Sequence, residues 1–197
     1  MKIRYFTTAV ILFIYNLSGF AQVKELSQLV YTKQFTLLES ALSVSKVSAG
    51  NKILYQAFLT NAFNQPAVSS RLVKKIFADK IAAKDDKLQF YLHRIAYDNY
   101  VKLNDYRSAH IGAEQLVKNY SSYFNAKELI DQKEENKIWS FLTDAPQQHV
   151  VKQASSIIPV KKDMAGLWNI PVQQQDSSYL FVFDTGANIS TISATYA

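Results

Sequence analysis

The chain has 197 residues, enough for one large domain or two small ones, and its 48% hydrophobic and 19% charged content is that of a globular protein. Its formal charge of +6 is spread along the chain apart from Lys74-Lys75 and Lys161-Lys162, so no basic patch with interleaved aromatics marks a nucleic-acid surface. Cysteine is absent, which excludes disulfides, thiolate metal sites, a cysteine nucleophile and a lipidated cysteine from this chain.

The first element has the pattern of an export signal. In "MKIRYFTTAVILFIYNLSGFAQ" two cations precede an apolar stretch from Phe6 to about Leu17, and Gly19 and Ala21 fit the small-x-small rule for cleavage before Gln22. The apolar stretch is shorter than the ~20 residues that span a bilayer, which favours a cleaved signal over an uncleaved anchor. On this reading residues 1–21 are a signal peptide, the product carries +4 once Lys2 and Arg4 are removed, and it is exported to the periplasm or medium with no stable membrane span.

Residues 22–144 read as a helical domain. The pattern predicts helices near 24–47, 51–64, 66–83, 86–103, 105–120 and 126–142. Leu88, Tyr91, Leu92, Ile95, Ala96 and Asn99 line one helix face, and Ala109, Ala113, Leu116, Val117 and Tyr120 line that of the next. Pro66 suits a first helical turn, and Asn104-Asp105 suits a turn followed by a cap. The stretch "YVKLNDYRSAHIGAEQL" resembles the core of a tetratricopeptide repeat. Tyr100, Asp105-Tyr106 and Ala109 take the pattern's places, with Asn104 where Gly is usual, but no 34-residue period recurs. The expectation is a short antiparallel helical array whose aromatic residues are core.

Composition then shifts. "APQQHVVKQASS" (145–156) lacks helical periodicity and reads as a linker. From 157 to 197 the period becomes that of strands: "IIPV", "LWNIPV" and "YLFVF", separated by "KKDMAG" and "QQQDSS". Pro159 and Pro171 belong at strand edges or bends, because neither can donate to a ladder. The fold class is therefore α+β, a helical array followed by the first strands of a β domain.

Within that domain, Leu180 to Phe183 are apolar on both faces, as a strand buried in a barrel or sandwich needs to be, and the run ends on Asp184. A carboxylate at the edge of such a core, on a turn that Gly186 permits, is a common way to shift an acid's pKa for proton transfer. "FVFDTGAN", followed by "ISTIS", resembles the active-site segment of aspartic proteases, and Ala187 after the glycine makes it similar to their retropepsin-like branch.

The resemblance covers roughly residues 157–197 and implies an all-β barrel in which Asp184 is one of two aspartates sharing a proton and a water. One carboxylate would act as general base on that water while the other polarises the scissile carbonyl of a polypeptide substrate. Thr185 would hydrogen-bond across to the partner loop, and Gly186 would let its N–H approach the carboxylate. Ala187 would replace a serine that donates to the ionised carboxylate in pepsin-like enzymes, so the dyad should be less acidic and the pH optimum higher.

The chain departs from the pattern in containing no second Asp-Thr-Gly or Asp-Ser-Gly; Asp176-Ser177-Ser178 lacks the glycine. The second aspartate would come from an identical subunit or from a further part of the chain. With only thirteen residues after Asp184, the expectation is an amino-terminal fragment without activity by itself. No cofactor or metal is implied: His93, His110 and His149 form no ligand pair, and no Walker loop, GxGxxG or nucleophile elbow is present. Asn119 and Asn188 match a glycosylation acceptor of low specificity. The alternative function is an exported helical-repeat interaction module with a structural β extension.

Overall fold

A computed structural model describes residues 21–81, 84–146, 155, 157–174 and 176–184. The signal-peptide stretch before residue 21, most of the linker and the residues after Asp184 lie outside that set. The fold is α+β and mostly helical, and the chain divides into two compact units, Met1–Gln147 and Gln148–Ala197.

The described residues of the first unit form seven helices. These are α1 (residues 21–31), α2 (Phe35–Val44), α3 (Ala49–Ala62), α4 (Pro66–Ala78), α5 (Asp86–Lys102), α6 (Tyr106–Tyr120) and α7 (Ala126–Phe141). A single 3₁₀ turn, Ser121–Tyr123, precedes α7. The single helix expected over 24–47 is two helices. Its periodicity runs through Thr32–Gln34, but Lys33 adopts φ 55° and turns the chain back.

The same device ends three further helices. At Lys33, Asn64, Lys80 and Asn104 the left-handed residue donates its N–H three residues back, and the residue after it donates five back. The pairs at Asn104 are Asn104 N to Val101 O at 3.0 Å and Asp105 N to Tyr100 O at 2.9 Å. This is the Schellman termination, which satisfies carbonyls that the helix end would orphan. Glycine usually fills the position; none of the four is glycine, and at Lys33 this hid the break in the sequence.

Helix starts follow ordinary chemistry. Ser48, Asp85 and Asp105 accept from backbone N–H groups of the first turn, Pro66 opens α4, and Asn125 with Glu128 forms a complete capping box on α7.

Two apolar clusters hold the array. Leu38, Leu54, Phe58, Ile76 and Leu92 anchor the one joining α1 to α5, whereas Phe90, Tyr97, Ala109, Ala113, Leu116 and Trp139 join α5 to α7. Helix α5 therefore buries more than the predicted stripe, because Phe90, Tyr97 and Val101 face the second cluster. Polar ties cross the helices as well. The Tyr55 hydroxyl donates to Val23 O at 2.9 Å and lies 2.9 Å from Ser27 Oγ, which fastens α1 to α3.

The second unit contains an antiparallel sheet in the order β1-β2-β3, with β1 at Lys161–Lys162, β2 at Trp168–Gln174 and β3 at Ser177–Val182. The "IIPV" stretch is not a strand: residues 157–160 are irregular and exposed, and only the two lysines after them pair. Pro171 lies within the central strand. Phe183 N donates to Trp168 O at 2.7 Å, and alternation from that bond turns the Pro171 nitrogen away from β3. It faces the side on which β1 pairs no further than Asn169, so a local edge accommodates the proline.

Candidate active-site segment

Asp184 lies two residues past β3, at the end of the β2–β3 hairpin. Cross-strand partners put Tyr179 with Val172, Phe181 with Ile170 and, one step on, Phe183 with Trp168 on one face of the sheet. Leu180 and Val182 occupy the other face, and strand alternation places Asp184 in register with them. Burial on both faces is not what the structure has: Leu180 is 66% exposed, Val182 53% and Phe183 51%, while Tyr179 and Phe181 are half-buried. The three described strands supply one layer, and a sheet face becomes buried only where a second layer packs on it. Asp184 is exposed at the end of this strand. Thr185, Gly186 and Ala187, the other expected members of the site, lie outside the described residues.

The same end of the sheet carries a second carboxylate that sequence reasoning passed over. Asp163, in the β1–β2 turn, accepts from Ala165 N and Leu167 N at 2.9 Å each and from Asn169 Nδ2 at 3.1 Å. Its own N–H donates to Leu167 O at 3.0 Å, and Gly166 completes the turn at φ 79°. Leu167 is one residue beyond the Trp168–Phe183 pair and so reaches the register of Asp184. Donation from the Leu167 backbone, then from Asn169 and the other turn amides, holds the Asp163 carboxyl below the usual carboxylate range. Both its oxygens are spent on this turn, so Asp163 is a structural acid and not the missing half of a proton-sharing pair. The signal for it was in the sequence as Asp-Met-Ala-Gly, a turn with its own side-chain acceptor.

The histidines are dispersed. His93 packs between the rings of Phe77 and Tyr120, with centroids at 4.8 and 5.2 Å, and burial pushes its pKa down. His110 Nδ1 lies 2.7 Å from Asn136 Oδ1, which joins α6 to α7, and His149 is outside the described residues. Among the described residues no group of three His, Asp or Glu side chains could hold a metal ion, and no helix is long and apolar enough to cross a membrane. Comparison with known proteins adds nothing to this geometry: no protein-family profile, no curated protein and no solved structure matches the chain.

Proposed function

We propose that the chain carries one half of the active site of an exported aspartic endopeptidase of retropepsin-like type, with Asp184 as one of two aspartates that activate water against a peptide bond. The observation that carries the reading is the segment Phe181–Asn188, an apolar strand leading directly into Asp-Thr-Gly-Ala-Asn. Support comes from its setting, at the end of an antiparallel hairpin and not on a helix. Asp184 is exposed at the end of its strand. In the proposed chemistry its reactivity appears only when a second aspartate approaches, because two neighbouring carboxylates cannot both ionise and the pair then retains a proton at working pH. That partner comes from a second copy or from further chain; Thr185 hydrogen-bonds across to the partner loop and holds the two loops in register, and Gly186 lets its N–H approach the carboxylate. Ala187, lacking a hydroxyl donor, leaves the pair less acidic than in pepsin-like enzymes.

The test is cleavage of a denatured, unstructured polypeptide by the protein expressed from its whole reading frame, with and without Asp184→Asn. The proposal expects cleavage that is blocked by a peptide analogue bearing a tetrahedral hydroxyl and lost in the variant. Cleavage unchanged in Asp184→Asn overturns it.

A second reading, an exported helical interaction module, is favoured by one observation. Helices α1/α2, α3/α4 and α5/α6 form successive pairs joined by three-residue turns that each place a left-handed residue at the same point. Such arrays commonly present surfaces to partners. A protein that cleaves nothing from its whole reading frame supports this reading over the first.

A further inference from the structure

Helix α7 is the last of the array, and its inward face packs on α5 and α6 through Trp139. The Tyr106 and Trp139 rings stack at 5.7 Å, Trp139 Nε1 donates to Tyr97 O–H at 2.7 Å, and Tyr97 donates to Glu135 at 2.7 Å. The outward face of a terminal helix is normally polar, since it meets water and must not invite stacking. Here it is not. Ile130 is 60% exposed, Ile138 43% and Phe141 87%, and with Glu134 and Lys137 they form one stripe at helical spacing directly opposite Trp139 and Gln132.

That stripe has a two-fold pattern. If a second α7 is laid antiparallel across it, with the axis between Glu135 and Asn136, Ile130 meets Phe141 and Glu134 meets Lys137. Each pair occurs twice. Within one helix Glu134 and Lys137 already bond at 2.7 Å, and the antiparallel copy would extend them into a network of four alternating charges flanked by apolar contacts at both ends. Such self-complementarity is what an isologous interface requires. We infer that the outer face of α7 is a homodimer surface, with a second copy of this chain as its occupant. A single helix pair is small against the ~800 Å² per partner of a standard interface, so the dimer is weak and concentration-dependent. The inference stands on α7 alone, but it would bring in the second copy from which the proposed protease could take its second aspartate.

Absence of cysteine makes the test free of background. Positions 130 and 141 are about 16 Å apart along one helix, too far for a bond within the chain, since bridged Cα atoms lie within about 7 Å. The variant Ile130→Cys/Phe141→Cys should therefore oxidise to a covalent dimer, whereas Ile130→Cys alone should not. By sedimentation velocity the wild-type full chain should show a mass that rises with concentration toward two copies. Phe141→Glu should abolish that rise without changing the helical circular dichroism, because the side chain is exposed. Glu134→Lys and Lys137→Glu should each weaken self-association at least tenfold, and mixing the two should restore it as a heterodimer.

A wild-type chain that stays monomeric at all concentrations overturns the inference. So does a dimer insensitive to Phe141→Glu, which places the interface elsewhere. A monomeric Phe141→Cys variant whose thiol is slow to react with a thiol reagent assigns the face to another part of the same chain and overturns it equally. None of these measurements reads proteolysis, so an α7 dimer whose whole reading frame cleaves nothing counts against the protease reading and leaves this one standing.

Discussion

Replacing Asn99 by alanine probes what holds successive helix pairs together. Asn99 on α5 is fully buried; its Nδ2 donates to Ser69 Oγ on α4 at 2.9 Å, and its Oδ1 accepts from Asn61 Nδ2 on α3 at 3.0 Å. Asn61 Nδ2 also donates to Asp98 at 2.6 Å, and Ser69 Oγ donates to Ala57 O at 2.9 Å. Truncation strands one amide hydrogen and one hydroxyl lone pair away from water, each costing ~1–1.5 kcal/mol because both groups keep their other partner. The void adds about 1 kcal/mol, for a total of roughly 3–4 kcal/mol.

A unit of this size is stable by only ~0.05–0.15 kcal/mol per residue, so the loss is a large fraction of the whole. Urea unfolding of the full chain, followed by circular dichroism at a helical wavelength, should show the midpoint falling by on the order of 2 M at constant slope. Ser69→Ala removes the same contact from the other side, so the double variant should be less destabilised than the sum of the singles, by about 1 kcal/mol or more. A loss below about 1 kcal/mol for Asn99→Ala, or strict additivity with Ser69→Ala, would refute the view that this network joins the helices.

Lys33→Gly, at φ 55°, should stabilise the first unit by roughly 0.5–1 kcal/mol, whereas Lys33→Val should destabilise it; melting temperatures measured side by side decide the matter. Tyr97→Phe leaves Trp139 Nε1 without its acceptor and should cost ~1–3 kcal/mol, with a shift in the fluorescence of one of only two tryptophans. Burial between Phe77 and Tyr120 lowers the His93 pKa, so below about 6.5 the unfolded chain binds the proton that the folded one refuses. Stability should therefore fall as pH drops from that value toward the folded pKa, by at most ~1.4 kcal/mol per pH unit, and His93→Gln should flatten the profile below pH 6.5. Asp163 has the opposite chemistry and the same sign: its contribution is present above the unfolded carboxyl value and is lost as pH falls below it, so protection of the Ala165 and Leu167 amides relative to their intrinsic exchange should fall in acid and in Asp163→Ala at neutral pH.

Local chemistry was legible in the amino-acid order wherever one residue decides the outcome. Pro66 had to open a helix, Asp105 had to cap one, and the change of period after Asp144 marked where helices give way to strands. Asp184 at the end of an apolar run likewise came from residue order alone, since a strand's alternation and a tripeptide are both written in sequence. The break at Lys33 was not legible, because a lysine in a left-handed turn is selected by the hydrogen bonds closing around it and not by its own preference.

Nor could periodicity show that α5 is covered on two sides, that Asn99 joins three helices, or that Asp163 is consumed by its own turn. Each depends on which groups the folded chain brings to the same place. The exposed faces of α7 and β3 make the same point. Ile130, Ile138 and Phe141 on α7 and Leu180 and Val182 on β3 are apolar residues, but whether an apolar side chain is core or surface is settled by what packs against it, and only the tertiary structure decides that.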